Sequence, residues 1–261
     1  MSLNEVNRIW LVGASRGIGK ALFHELDRDG RTLFISARDE AALNNLSQQS
    51  LADVQPLPLD ITQPEQVERA VADIADRIPQ LDLVIINAGS CEYIDSEQPS
   101  LSAFEHMMKL NFMAPLTVLK QVMPLLKHED KKRLPTCVFI SSSVHYFALP
   151  RAAAYGASKA ALSYMVESLA TDLQHRNLHL ALVHPGFVKT DLTDANDFPM
   201  PFLLSAEQAA KRIVKGLGKG QCNISFPRRL IWPLRLLGIL PANMQRLIGG
   251  KLSRLRQHKE K

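Results

Sequence analysis

Seven short apolar runs are spaced along this chain, and most are separated by a segment with the period of an amphipathic helix. The runs are RIWLV (8–12), TLFIS (32–36), VQPLPL (54–59), LDLVII (81–86), TCVFIS (136–141), LHLALV (178–183) and CNISF (222–226). The helical segments fall at 17–29, 39–50, 64–78, 101–127, 152–176 and 205–216. Strands apolar on both faces must be covered on both, and strands joined by helical crossovers run parallel. The alternation predicts an α/β fold, a single doubly wound domain with a parallel sheet of about seven strands. No internal repeat and no linker rich in Gly, Ser or Pro divides it.

Composition narrows the function classes. The 261 residues are 46% hydrophobic and 22% charged, the balance of a globular chain with a sizeable core. No stretch approaches the ~20 apolar residues that cross a bilayer. MSLNEVNRIW has no basic stretch leading into an apolar one, so a cytoplasmic rather than secreted protein is expected. Cys91, Cys137 and Cys222 lie far apart, form no metal-ligand spacing and read as thiols in a reducing compartment. The net charge of +5 is uneven: residues 227–261 hold nine Lys or Arg and one Glu, leaving −3 on the preceding 226 residues. A mildly acidic body with a basic extension, and no recognised binding module, argues against nucleic acid as a partner. The expected organisation is a body over 1–226 and a basic amphipathic extension over 227–261.

Where the first run meets the first helical segment, the chain reads VGASRGIGKAL. Gly13, Gly17 and Gly19 permit a tight turn and a close approach of backbone to a pyrophosphate at the helix N-terminus. Ser15, Arg16 and Ile18 occupy the same turn. The spacing is G-x-x-x-G-x-G, not the common G-x-G-x-x-G. Further on, AAAYGASKAAL puts Tyr155 and Lys159 at i and i+4, on one helix face among small residues that let a ligand come near. A phenol of ordinary pKa, about 10, is a poor proton donor or acceptor at neutral pH. A neighbouring ammonium is expected to lower it toward a useful range.

Four motifs in order resemble those of the short-chain dehydrogenase/reductase family: Gly13-x-x-x-Gly17-x-Gly19, Asn87-Ala88-Gly89, a serine cluster after the fifth strand, and Tyr155-x-x-x-Lys159. The resemblance covers about residues 8–226 and implies a Rossmann-like oxidoreductase. Val12 stands where the family usually has Thr, and Ile86 where it often has a second Asn. Both departures bear on hydrogen bonding around the loop more than on chemistry. The second strand ends in Ser36-Ala37-Arg38, with no acid to hold an adenosine 2′-hydroxyl. Arg38 offers a planar fork suited to a 2′-phosphate, and Arg16 is a second cation in reach, so NADP(H) is the expected cofactor. The residues alone leave two solvated arginines as the other reading. Asp60 resembles the family's adenine contact and equally reads as a helix-capping carboxylate before Gln63-Pro64.

The resemblance implies catalytic roles for Ser142, Tyr155, Lys159 and Asn111. A carbonyl under reduction gathers negative charge on oxygen, which asks for a neutral donor beside the tyrosine. Ser141, Ser142 and Ser143 are the candidates; the family spacing of thirteen residues selects Ser142, with Ser143 open. Asn111 would hold a water that relays protons to Lys159, or simply be a satisfied core amide. In HPGFVKTDL, Pro185 and Gly186 make a turn, and Val188 and Thr190 match positions at the nicotinamide end. His184 reads as a strand-end residue and His145 as lining the substrate pocket. The implied reaction is NADPH-dependent reduction of a ketone or aldehyde, or the reverse on a secondary alcohol. A catalytically silent dinucleotide-binding regulator or a membrane-peripheral scaffold is the competing reading.

Within DLTDANDFPMPFLL (191–204), Met200, Phe202, Leu203 and Leu204 are expected to form an apolar lid over a hydrophobic substrate. In the extension, Pro233 and Pro241 are expected to break the chain into short helices. Trp, Leu and cations interleaved there suit peripheral contact with the inner face of a membrane, or packing of the apolar residues on the body or a neighbouring subunit. By family analogy the central helices build a homo-oligomer, a dimer or tetramer.

Overall fold

Side chains of strand β1 (Arg8–Val12) are buried on both sides: Ile9 and Leu11 enter one core, Trp10 and Val12 the other. The computed structural model describes residues 5–127, 134–194 and 198–252. Its sheet continues with β2 (Thr32–Ser36), β3 (Asp53–Pro56), β4 (Leu83–Ile86), β5 (Thr136–Ile140), β6 (His179–Pro185) and β7 (Asn223–Phe226). The order is β3-β2-β1-β4-β5-β6-β7 and every pairing is parallel. The chain runs outward from β1 to β3, then returns to place β4 on the other side of β1. That reversal opens a crevice beyond the carboxyl ends of β1 and β4.

Helices cover both faces, as the strands demand. Helices α1 (Gly17–Leu26), α2 (Glu40–Gln48) and α8 (Ala206–Gly218) close one side with residues such as Leu22, Leu43 and Ile213. Helices α3 (Pro64–Arg77), α5 (Ala114–Val122) and α6 (Ala153–Asp172) close the other with Ile74, Val118 and Leu162. Along α6 the buried positions Ala154, Ser158, Lys159, Leu162, Ser163 and Val166 follow the helical period, so one face meets the sheet while the other stays outside. Helices α4 (Leu101–Met108) and α7 (Asp191–Asp194) flank the crevice.

Three expectations from sequence are corrected. The segment 101–127 is not one helix: α4 and α5 are separated by a π-helical turn, Lys109–Met113, and a 3₁₀ turn follows at Met123–Leu125. Asn111 sits fully buried at the centre of the π turn, an insertion that apolar periodicity cannot register. Strand β3 stops at Pro56 rather than Leu59 because Pro56 and Pro58 lack N–H donors, although Leu57 and Leu59 still donate to Ile35 and Ala37. Pro233 does not break the extension; it lies inside α9 (Arg228–Gly238), and only Pro241 interrupts, before α10 (Ala242–Leu252). Pro233 is on the exposed side, where water can take up the carbonyl left without its helical partner.

Helix α9 packs on the body. Ile231 is buried, and the Arg235 guanidinium lies over the Tyr146 ring and donates to the Tyr146 hydroxyl at 2.7 Å. Leu230 crowds Gly186, where an added Cβ would lie 2.5 Å from its Cδ2. No helix of the described residues is long and apolar enough to cross a membrane.

Candidate active site

The crevice at the switch point is a cavity of about 810 Å³. Its first wall is the glycine loop. Gly13 has φ +90°, and a Cβ there would meet the Ala88 backbone nitrogen at 2.6 Å, so no other residue fits without displacing the chain. Its N–H is bonded to the Ser36 carbonyl at 2.6 Å, and its own carbonyl accepts from Asn87 Nδ2 at 2.8 Å. Gly13, Ser15, Arg16, Gly17 and Ile18 line the cavity; Gly19 does not. Gly19 lies under the loop, where a Cβ would fall 1.8 Å from the Gly13 carbonyl oxygen, and so lets α1 approach. No side chain caps α1 and no acid sits in its first turn. Its leading N–H groups and positive dipole end are therefore left for an anion.

Ser36, Ala37 and Arg38 at the tip of β2 line the same cavity. The carboxylate of the next residue, Asp39, points away into α2, where it accepts from Ala42 N–H and caps the helix. Arg38 is exposed and makes no ion pair among the described residues, whereas Arg16 reaches Asp191 at 3.5 Å in an open, solvated pair. Asp60 lines the cavity and accepts from Thr62 N–H, an Asx turn rather than a helix cap. Asn87, Ala88 and Gly89, after β4, complete this side.

The second wall comes from β5 and α6. Ser142 caps a 3₁₀ turn, Ser143–Tyr146, accepting from Val144 N–H at 3.3 Å, and shares the cavity wall with Tyr155. Ser143 also lines the cavity. Ser141 is committed elsewhere, to Ser163 at 2.7 Å and the Lys159 carbonyl at 3.2 Å. Burial pushes the Tyr155 hydroxyl well above its ordinary value and the neighbouring Cys91 adds to the rise, while the Ser142 hydrogen bond opposes them. The lowering expected from Lys159 is therefore overturned: loss of solvent is the dominant influence on the phenol. The same desolvation brings Lys159 down to about 8, against a small opposing effect of Cys91. Lys159 Nζ donates to the Ile140 carbonyl at 2.9 Å.

Asn111 does not line the cavity. Its amide nitrogen donates to the Ser90 carbonyl and to Ser158 Oγ, both at 3.0 Å, and its oxygen accepts from Ser90 N–H. A Cβ on Gly89 would lie 2.9 Å from Asn111 Oδ1 and 3.3 Å from Lys159 Nζ, so the amide and the ammonium share one corner.

The loop after β6 supplies Pro185, Gly186, Val188 and Thr190 to the cavity. His145 does not line it. Its ring stacks on His184, with centroids 4.3 Å apart, and sits at a tilt against Tyr146 at 3.9 Å. His184 is fully buried between Ser163 and Asn223, as a strand-end residue. The lid residues also differ from expectation: Phe202 and Leu203 face outward and Leu204 pairs with Val188, while Leu192, Phe198, Pro199 and Pro201 border the cavity. Residues 195–197 of that segment lie outside the described residues.

Several lining residues had no motif to announce them. Cys91 and Tyr93 lie just beyond Asn87-Ala88-Gly89, and that closeness was an available signal. His106 and Lys109 come from the rim of α4, and Leu230 and Leu234 from α9. The last two are brought in only by the packing of the extension.

A crevice at the switch point of a parallel sheet, with a helix N-terminus at its floor, defines the dinucleotide-binding α/β class. The chain belongs to the short chain dehydrogenase family, whose sequence profile matches residues 7–198. It is thus an oxidoreductase with a small-molecule substrate. It is 32% identical over 234 residues to an uncharacterized oxidoreductase of Myxococcus xanthus, covering 88% of this chain and 91% of that one. It is similar to the Pseudomonas aeruginosa RhlG/NADP active-site complex, with 26% identity, a TM-score of 0.75 and coverage of 86% and 95%. A short chain dehydrogenase/reductase from Burkholderia phymatum in complex with NAD superposes with a TM-score of 0.80 at 19% identity, covering 90% and 94%, and so shares the fold.

Proposed function

We propose that the chain is an NADPH-dependent reductase of ketones or aldehydes, with Ser142, Tyr155 and Lys159 as catalytic residues and Asn111 as their positioning residue. The observation that carries this reading is that Ser142, Tyr155 and Lys159 line one wall of a cavity that also holds the glycine loop. The groove suits a dinucleotide phosphate: an uncapped helix N-terminus faces the pyrophosphate position, and Arg16 and Arg38 stand where an acid would repel a 2′-phosphate. Bound NADPH supplies the hydride.

The chain's own residues do the rest. Ser142 donates to the substrate oxygen as it gathers charge. Tyr155, held protonated at neutral pH by its burial, passes its proton to that oxygen. Lys159 holds the ribose end and keeps a positive charge near Tyr155 below pH 8. Asn111 fixes the loop after β4 to α6 through Ser90 and Ser158, and so sets the position of Lys159. The similarity to RhlG in its complex with NADP supports the choice of cofactor. A cytoplasmic homo-oligomer completes the proposal.

The test is oxidation of NADPH by the purified protein across ketones and aldehydes graded by chain length. Turnover is expected, and Tyr155→Phe should reduce it at least ~10²-fold with NADPH binding unchanged. Full activity in that variant would remove the assignment; NADPH binding with no turnover on any carbonyl would favour a nucleotide-sensing protein.

A further inference from the structure

Helix α9 divides its surface three ways. Ile231, Arg235 and Gly238 face the body, where Gly238 abuts the Tyr146 carbonyl so closely that a Cβ would collide with it. Leu230 and Leu234, one turn apart, wall the cavity. Trp232, Leu236 and the following Ile239 face out, 67%, 61% and 79% exposed. Leu247 on α10 is exposed as well. A tryptophan and three large aliphatics are thus left in water, where apolar surface is unfavourable relative to burial.

Charge accompanies this face. Residues 227–252 contain Arg228, Arg229, Arg235, Arg246 and Lys251 and no acid. All but Arg235 are exposed. We infer that α9 and α10 form a docking surface for an anionic lipid bilayer, with Trp232, Leu236 and Ile239 entering the interface and the exposed cations meeting the headgroups. Charge decides the occupant. A second copy would have to bring five cations of its own against these five in a symmetric contact, with no acid on either side of the pair of helices. A bilayer surface rich in acidic lipid attracts and neutralises them. Helices that combine an apolar face carrying Trp and Leu with flanking Arg and Lys lie in the plane of the interface, roughly 5–10 Å deep. One helix thus carries the docking face on one side and the cavity wall on another. The docking itself stands apart from the reductase reading.

The chain contains two tryptophans, and Trp10 is fully buried, so emission changes report on Trp232. The intact protein is mixed with vesicles of phosphatidylcholine alone or of phosphatidylcholine with phosphatidylserine, and binding is read by co-sedimentation and by Trp232 emission. Binding to the anionic vesicles only, with a blue shift that high salt reverses, is the expected result. Trp232→Ser with Leu236→Ser, and separately Arg228→Gln with Arg229→Gln, should each weaken it at least about tenfold while the melting temperature and NADPH binding stay unchanged. Equal binding to both vesicles, or none to either, overturns the proposal. So does a blue shift that follows protein concentration without lipid, together with a dimer mass in sedimentation equilibrium, since that assigns the face to a second copy. None of these readouts uses turnover, so failure here leaves the reductase test untouched.

Discussion

Tyr155 and Ser142 show how two hydroxyls become unequal to their neighbours. Three serines follow one another, yet Ser142 is the one that opposes the rise at the phenol, while Ser141 is tied to Ser163 and the Lys159 carbonyl. Ser142→Ala should therefore lower kcat about 10²-fold, in the range for loss of one oxyanion donor. Ser143→Ala should lower it less than about tenfold. Steady-state rates for the pair decide the matter, and the opposite order would move the donor role to Ser143. At the other end of the cavity, Arg38→Ser removes a cation that makes no ion pair among the described residues. A hydrogen bond to a charged group is worth about 1.5–3 kcal/mol. KM for NADPH should rise about tenfold or more and KM for NADH stay level; an equal rise in both would take the 2′-phosphate away from Arg38. The pairing of Tyr155 with Lys159 was legible in the sequence because i and i+4 share a helix face. The direction of the Tyr155 shift was not, because desolvation depends on what packs around the ring.

At the level of elements, the glycine loop and α1 stand or fall together. Gly19→Ala drives a methyl group into the Gly13 carbonyl, and the helix must back away. Overpacking of this kind costs about 1–3 kcal/mol. The variant should melt at lower temperature and bind NADPH at least about tenfold more weakly, as read by calorimetry of both. Unchanged binding would mean that the loop does not cradle the cofactor. Strands and helices such as β1 and α3 could be placed within a few residues from apolar period alone, since each carries its own burial pattern. The π turn around Asn111 could not be placed that way. Nor could the course of α9, where Pro233 reads as a breaker but is tolerated on an open face. These features are set by contacts between segments distant in sequence, and a local pattern holds no trace of them.

For the molecule as a whole, acid is the condition to which the buried imidazoles make it sensitive. Burial, with Arg235 nearby, lowers His145 to about 4. Burial, the stacked His145 and Arg235 lower His184 to about 3, against an opposing hydrogen bond with Asn223. Both are neutral in the folded state where the unfolded chain, with an ordinary value near 6.5, takes up protons. Their contribution to stability is complete above pH 6.5 and falls as pH drops from there toward 4 and 3. Denaturant midpoints measured from about pH 7.5 down to about 5 should decline, and His184→Gln should flatten the slope whatever its own stability. A midpoint independent of pH over that span would contradict the burial. The range stops there because Asp82 titrates lower. Burial disfavours its charge, but hydrogen bonds from Arg8 and the amides of Asn7 and Arg8 prevail and hold it below the usual carboxylate range.

Away from the glycine loop, the cavity wall is assembled from pieces that enter separately: Tyr93 after β4, Leu149 and Arg151 after β5, Phe198 after β6, and Leu234 from α9. None of them belongs to the glycine loop, and none of the strands needs their side chains for its core. A protein engineer could exchange one piece at a time, as cartridges on a fixed chassis, and change what is admitted without rebuilding the chemistry beneath. By the same logic, lineages diverging from such a chain would diversify first at these insertions.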